Sequence, residues 1–254
     1  MNNCKLINGD CITEMKKLID ENIKVDLILT DPPYGTTACK WDTIIPFDEM
    51  WECVNNLSND TTPCLLFGTE PFSSHLRLSN IDNYRYDWKW NKIVGSNIFQ
   101  REKVPLTDYE DICVFYNKSG AYSPIMIRVN KNRSFKRVNS DLGSNTYGVK
   151  KKEKRNYVDN GLRFPKKILN YNSAEGELNN TKRVHPTQKP VELLEYLIKT
   201  YTKENDLVLD FTMGSGSTGV ACRNLNRNFI GIELNKDYYD IAVERVNNVQ
   251  SKLI

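Results

Sequence analysis

Short apolar runs of strand length recur along the chain, and stretches with apolar residues at helical spacing lie between many of them. Residues 4–8 (CKLIN) predict a strand, Gly9-Asp10 a turn, and Ile12, Met15, Leu18 and Ile19 fall on one face of a following helix. Val25 to Thr30 is a compact apolar run that two prolines stop at Asp31-Pro32-Pro33-Tyr34. Leu65 to Gly68, Asp87 to Trp90 and Ile112 to Tyr116 read as further strands, the last two at the far side of a sheet. From about 120 to 180 neither period is present. Regular structure returns with Val191, Leu194, Leu197, Ile198 and Tyr201 at helical spacing behind Pro190. A strand at 207–211, a glycine turn, a helix from about Ser217, a strand at 229–234 and a helix from about Tyr238 complete the series. Strands alternating with helices predict a largely parallel sheet covered on both faces, an α/β fold.

Composition narrows the class. In 254 residues, 39% are hydrophobic, enough for a sizeable core. No run reaches the roughly 18 apolar residues of a membrane helix, and MNNCKLINGD lacks a signal-peptide layout, so a soluble cytoplasmic protein is expected. Seven cysteines without a CxxC pair indicate neither a disulfide framework nor a zinc ribbon, and no metal is expected. The net charge of +3 conceals an asymmetry: Arg128 to Lys167 carries 13 basic against three acidic residues, while the rest of the chain is net negative. Such a block fits a phosphate-backbone contact, and it equally fits a solvated basic loop.

Gly214-Ser215-Gly216-Ser217-Thr218-Gly219 is a literal GxGxxG between a predicted strand and helix, and Glu233 ends the next strand, where an acid could hold a ribose. A dehydrogenase would satisfy the motif too, but too few residues follow it to complete a dinucleotide-binding sheet. Asp10, Asp31 and Asp210 each stand just past a predicted strand, so four segments converge on the carboxyl edge where open parallel sheets bind ligands. For Asp10 alone, helix capping is at least as good a reading.

Asp31-Pro32-Pro33-Tyr34 is the sharpest signal. The lone pair of an exocyclic base amine is delocalised into the ring, and hydrogen bonds from its two N–H groups to the Asp31 carboxylate and the Pro32 carbonyl would localise it. Pro32 and Pro33 would fix that carbonyl, and Tyr34 could stack on a base removed from the duplex. A carboxylate is too weak a base to deprotonate the neutral amine first.

With TDPPYG, GSGSTG, the opening NGDC, FGTEPF at 67–72 and HPTQKP at 185–190, the chain resembles the DNA amino-methyltransferases of the N6-adenine and N4-cytosine family, in the circularly permuted β order where DPPY precedes the cofactor motif. The resemblance covers most of the chain outside 120–180. It implies a three-layer fold on a seven-stranded, mostly parallel sheet of the type that binds S-adenosylmethionine (SAM). It further implies a catalytic half over 1–125, a basic target-recognition insert over 126–180 and a SAM-binding half over 181–254. Asp10 and Cys11 would border the cofactor's adenine and Glu233 its ribose. Asp31, Asp210, Phe211, Gly214, Ser215, Gly216, Ser217 and Thr218 would shape the methionine end, and Thr187, Gln188 and Lys189 would meet its carboxylate. One departure is visible: Asp210-Phe211-Thr212-Met213 places the aromatic one position earlier than the family's Asp-Pro-Phe. An Asp at 31 resembles the adenine-modifying members, with cytosine N4 as the near alternative.

Within the basic block, Arg133, Lys136, Arg137, Lys151, Lys152 and Arg155 are the candidate DNA contacts, with Asn132 and Asn145 also able to reach base edges. Double-stranded DNA is the expected partner of a monomer or homodimer that works alone or beside a separate restriction endonuclease. Pro63-Cys64 superficially resembles a cytosine-C5 nucleophile but opens an apolar strand and reads as core. Trp88 and Trp90 share a strand face and read as core, Trp41 could line a base pocket or anchor the DPPY loop, and His75 and His185 have no assigned role. A protein or RNA methyltransferase more often carries Asn at the position of Asp31, and a silent DNA-binding scaffold would not need Asp31, Tyr34, Gly214 and Glu233 together.

Overall fold

A computed structural model describes residues 3–36, 42–96, 98, 101–120, 122–129, 161–172 and 188–249. The chain divides into two compact units, 124–166 and the remainder. In the larger unit, β1 (Cys4–Asn8), β2 (Leu27–Thr30), β3 (Cys64–Gly68), β4 (Tyr84–Ser96) and β5 (Thr107–Phe115) come from the first half of the chain. The smaller unit holds a two-stranded antiparallel ladder of β6 (Ile127–Arg128) and β7 (Leu162–Arg163). Strands β8 (Ile168–Asn170), β9 (Leu207–Asp210) and β10 (Asn228–Glu233) return to the main sheet, whose order is β1-β10-β9-β2-β3-β5-β4-β8. The smaller unit ends at Lys166, and β8 pairs with β4 as a short edge strand of the main sheet. The other seven strands form the expected sheet, parallel except where β5 runs against β3 and β4.

Period-two burial builds a core on each face. Leu27, Leu29, Leu65, Phe67, Ile112 and Val114 point to one side, where α4 (Val191–Tyr201), α5 (Ser217–Asn224) and α6 (Lys236–Asn247) cover them. Ile28, Cys64, Leu66, Cys113 and Phe115 point to the other, under α1 (Cys11–Asp20), α2 (Phe47–Leu57) and α3 (Phe72–Ser79). Trp88 and Trp90 belong to the first core, and Cys64 is a buried core thiol that burial pushes up, as a packing role requires. His75 is exposed on α3.

The order of strands explains the convergence of motifs. The last two strands insert between β1 and β2, so β9 lies beside β2 and β10 beside β1. From the β9/β2 boundary the chain winds outward in both directions, the arrangement that opens a ligand crevice at the strands' carboxyl ends.

Candidate active site

Two cross-strand hydrogen bonds fix the ends of β2 and β9. Thr30 Oγ1 donates to Asp210 Oδ1 at 2.6 Å, and Thr212 Oγ1 donates to the Asp31 carbonyl at 3.0 Å. Asp210 is only 3% exposed and also accepts from Thr218 Oγ1 at 2.6 Å, so its carboxylate ties α5 to both strands. Burial pushes its pKa up to about 6 despite these donors. On the outer side, Gly9 N donates to the Glu233 carbonyl at 3.0 Å, which sets the ends of β1 and β10 side by side.

The glycine turn is shaped by left-handed backbone at Gly214 (φ +52°) and Gly216 (φ +79°). Gly214 N donates to Glu233 Oε2 at 2.9 Å and Asn235 N to Oε1 at 2.8 Å, orienting the acid across the turn. Burial raises the Glu233 pKa above the usual range. Ser215 and Ser217 are turned to α6, where Arg245 donates to Ser215 Oγ at 2.8 Å and to Ser217 Oγ at 3.3 Å. Phe211 is 1% exposed and lies in the core under α1 to α3, while its N–H donates to Thr30 Oγ1 at 2.9 Å. Asp10 caps α1, accepting Thr13 N at 2.9 Å and Thr13 Oγ1 at 2.8 Å. Beside it, burial pushes the Cys11 thiol up to about 12, so it is no thiolate nucleophile.

The DPPY segment follows β2 at the same edge. The Asp31 side chain is 22% exposed, and both its oxygens are engaged: the Tyr34 hydroxyl donates to Oδ1, and Lys189 Nζ lies 2.5 Å from Oδ2. One face of the Tyr34 ring packs on Phe72, centroids 5.0 Å apart. Lys189, 7% exposed, stands 5.0 Å over the Phe67 ring and 3.3 Å from Glu110 Oε2, and Lys92 holds the other Glu110 oxygen at 2.6 Å. Burial raises the Asp31 pKa more than the Lys189 ammonium lowers it, with Glu110 adding to the rise. Burial pushes Glu110 up as well, but two ammoniums bring it below the usual carboxylate range. Two carboxylates hold Lys189 protonated against its own burial.

The sheet therefore brings Asp10, Cys11, Asp31, Tyr34, Gln188, Lys189, Asp210, Gly214 and Glu233 to one edge. A family model described as DNA methylase, for N6 and N4 methyltransferases, matches residues 25–244. The chain belongs to this family. The DNA methylase is 28% identical to the type II methyltransferase M.HpaI of Haemophilus parainfluenzae over 96% of its own length and 74% of that protein. It is 27% identical to the type II methyltransferase M1.MboII of Moraxella bovis over 91% and 92% of the two chains. Its fold matches the M1.HpyAVI–SAM complex (TM-score 0.61, 24% identity, 96% and 99% covered) and the cytosine-N4-specific PvuII DNA methyltransferase (TM-score 0.65, 16% identity, 100% and 89% covered).

Thr187, the DNA-contact candidates Arg133, Lys136, Arg137, Lys151, Lys152 and Arg155, and Asn132, Asn145, Trp41 and His185 lie outside the described residues of the methylase. Among the described residues no group of acids, Cys and His could hold a metal, and no helix is long and apolar enough to cross a membrane. Glu110 escaped the reading of the sequence. Its signal is one of the paired acids Glu110-Asp111 ahead of the apolar run at 112–115, which strand periodicity does not distinguish from an exposed position.

Proposed function

We propose that the protein is a site-specific DNA adenine-N6 methyltransferase that moves a methyl group from SAM to the amine of a flipped base. The observation that carries this is the Asp31-Tyr34 segment at the β2/β9 boundary, with a half-buried carboxylate at the edge where the glycine turn and Glu233 also lie. The residues present fit the cofactor. Acids stand at adjacent strand ends, the turn at Gly214 and Gly216 is left-handed, and Gln188 Oε1 is buried with no hydrogen bond among the described residues. Asp10, Cys11 and Glu233 would hold the adenosine end. Asp31, Asp210, Phe211, Gly214, Ser215, Gly216, Ser217 and Thr218 would shape the methionine end, and Thr187, Gln188 and Lys189 would meet its carboxylate. When bound, SAM supplies an electrophilic methyl group.

The chain's own residues do the rest by placement. The Asp31 carboxylate and the Pro32 carbonyl accept the two N–H groups of the amine, which turns its lone pair out of conjugation. Tyr34, packed on Phe72, is the ring that the segment would stack on the base. Once the nitrogen is methylated and cationic, Asp31 accepts its proton, a task favoured by the raised pKa. Arg133, Lys136, Arg137, Lys151, Lys152 and Arg155 would grip the duplex backbone. Relatives described as type II methyltransferases support a place in restriction and modification, with a separate endonuclease as the companion activity.

The test is incubation with unmethylated genomic DNA and labelled SAM, followed by nucleoside mass spectrometry. N6-methyladenine is the expected product. N4-methylcytosine would keep the mechanism and replace the base, since that amine presents the same pair of N–H groups. No methylated nucleoside, with cofactor still bound, would refute the reading in favour of a silent DNA-binding scaffold.

A further inference from the structure

Asp31 is self-occupied: Tyr34 sits on one carboxylate oxygen and Lys189 on the other, and an incoming amine needs one of them to pair with the Pro32 carbonyl. The ammonium must leave Oδ2 for the amine to bind, and besides the SAM carboxylate that Lys189 would meet, Glu110 is the carboxylate of the chain already beside it. Glu110 stands next to Asp111 on β5, and successive side chains point to opposite faces. Asp111 is fully matched, with Arg77 Nη2 at 2.6 Å and Lys89 on its other oxygen. Glu110 is not. Lys92 holds its Oε1, but Oε2 is buried and makes no hydrogen bond among the described residues, although Lys189 Nζ is only 3.3 Å away. A buried carboxylate oxygen served only by an ion pair at 3.3 Å is under-satisfied, and it lies within a small swing of an ammonium that has donors to spare.

We propose that Glu110 is a positioning residue, a second seat that draws the Lys189 ammonium off Asp31 Oδ2 so that this oxygen is open to the target amine. The swing needs no change in total charge, because Asp31 and Glu110 share Lys189 while Lys92 stays on Glu110. The Phe67 ring beneath Lys189 supports the ammonium along the way. The proposal rests on Asp31 as the group that holds the amine.

Glu110→Gln tests it, because a neutral amide cannot compete with Asp31 for an ammonium. In the cofactor-free protein, carbon-13 NMR titration of the Asp31 carboxyl should move its pKa down relative to wild type, as Lys189 stays on it and the Glu110 charge is gone. Asp210, Lys92, Lys189 and Tyr34, the other charged or titratable groups around it, remain in place. Single-turnover methyl transfer at saturating SAM and DNA should fall on the order of tenfold or more, with SAM affinity held within about threefold. Lys92→Met acts in the opposite sense: Glu110 then competes better for Lys189, and transfer holds or rises. An unmoved Asp31 titration, wild-type transfer in Glu110→Gln, a loss that tracks SAM affinity, or a tenfold loss in Lys92→Met would each overturn the second seat. If the wild type itself transfers no methyl group, the functional reading fails and the seat with it. An active wild type with an equally active Glu110→Gln removes the seat alone.

Discussion

Replacing Asp210 by Asn should stabilise the protein at neutral pH while weakening its chemistry. Asp210 is buried with donors from Thr30, Thr218 and the Thr212 N–H, yet its pKa stands at about 6 against 3.8 unfolded. A carboxyl raised on folding binds its proton more tightly in the native state, so its contribution is favourable below the unfolded value and is lost as pH rises through the folded one. The full span is about 3 kcal/mol at 1.36 kcal/mol per pKa step. Between pH 4.5 and 7.5 the native protein should lose roughly 2 kcal/mol that the Asn variant keeps. For a chain of this size that is about 4–8 °C in melting temperature. Thermal denaturation of both proteins at the two pH values reads it as a double difference, in which the other titrating groups cancel. The melting temperature of wild type relative to Asp210→Asn should rise on acidification. A flat or opposite difference would refute the account of a carboxylate held charged against its burial.

Other consequences are separable. Gly216→Ala places a Cβ about 2.9 Å from that of Ala242 at φ +79°, and should cost roughly 1–3 kcal/mol in chemical denaturation, more than a helix-surface Gly→Ala change could. Tyr201→Phe removes the hydroxyl that accepts Trp88 Nε1 and bonds Tyr86, each at 2.7 Å, leaving a buried indole N–H; a loss of about 1–3 kcal/mol is expected, and an unchanged midpoint would contradict it. Lys189→Met leaves Asp31 and Glu110 facing one another without their shared cation, so the Asp31 titration should move further up, and methyl transfer should be lost even when SAM is saturating. Lys151→Ala with Lys152→Ala should flatten the salt dependence of DNA binding by about one in slope for each phosphate that is no longer neutralised, without altering the base methylated.

The sheet was legible because its strands are short apolar runs with marked ends: Cys4–Asn8 was predicted to the residue, and β9 and β10 within one. Where burial ended gradually the bounds were missed. Val25 makes only an isolated bridge to Ser58, so β2 begins at Leu27, and β4 extends to Ser96 because its outer half is polar or exposed and carries no periodic signal. The helices α2 and α3 were passed over, and so was β8, three residues whose pairing with β4 is set by contacts about 80 positions away. At the site, the acids and glycines follow from motifs, but their partners do not. Lys189 lies 158 positions from Asp31, and nothing local to either announces that they share a hydrogen bond. Phe211 shows the converse: the shifted aromatic enters the core because its backbone N–H is held by Thr30.

The most direct test compares wild type with Asp31→Asn, which keeps the shape of the side chain and removes its charge. Methyl transfer to DNA should fall on the order of a thousandfold or more, with SAM and DNA affinities held within a few-fold, since the loss falls on the step that orients the amine and takes its proton. Transfer within about tenfold of wild type would contradict the assignment of Asp31 as the centre of the reaction.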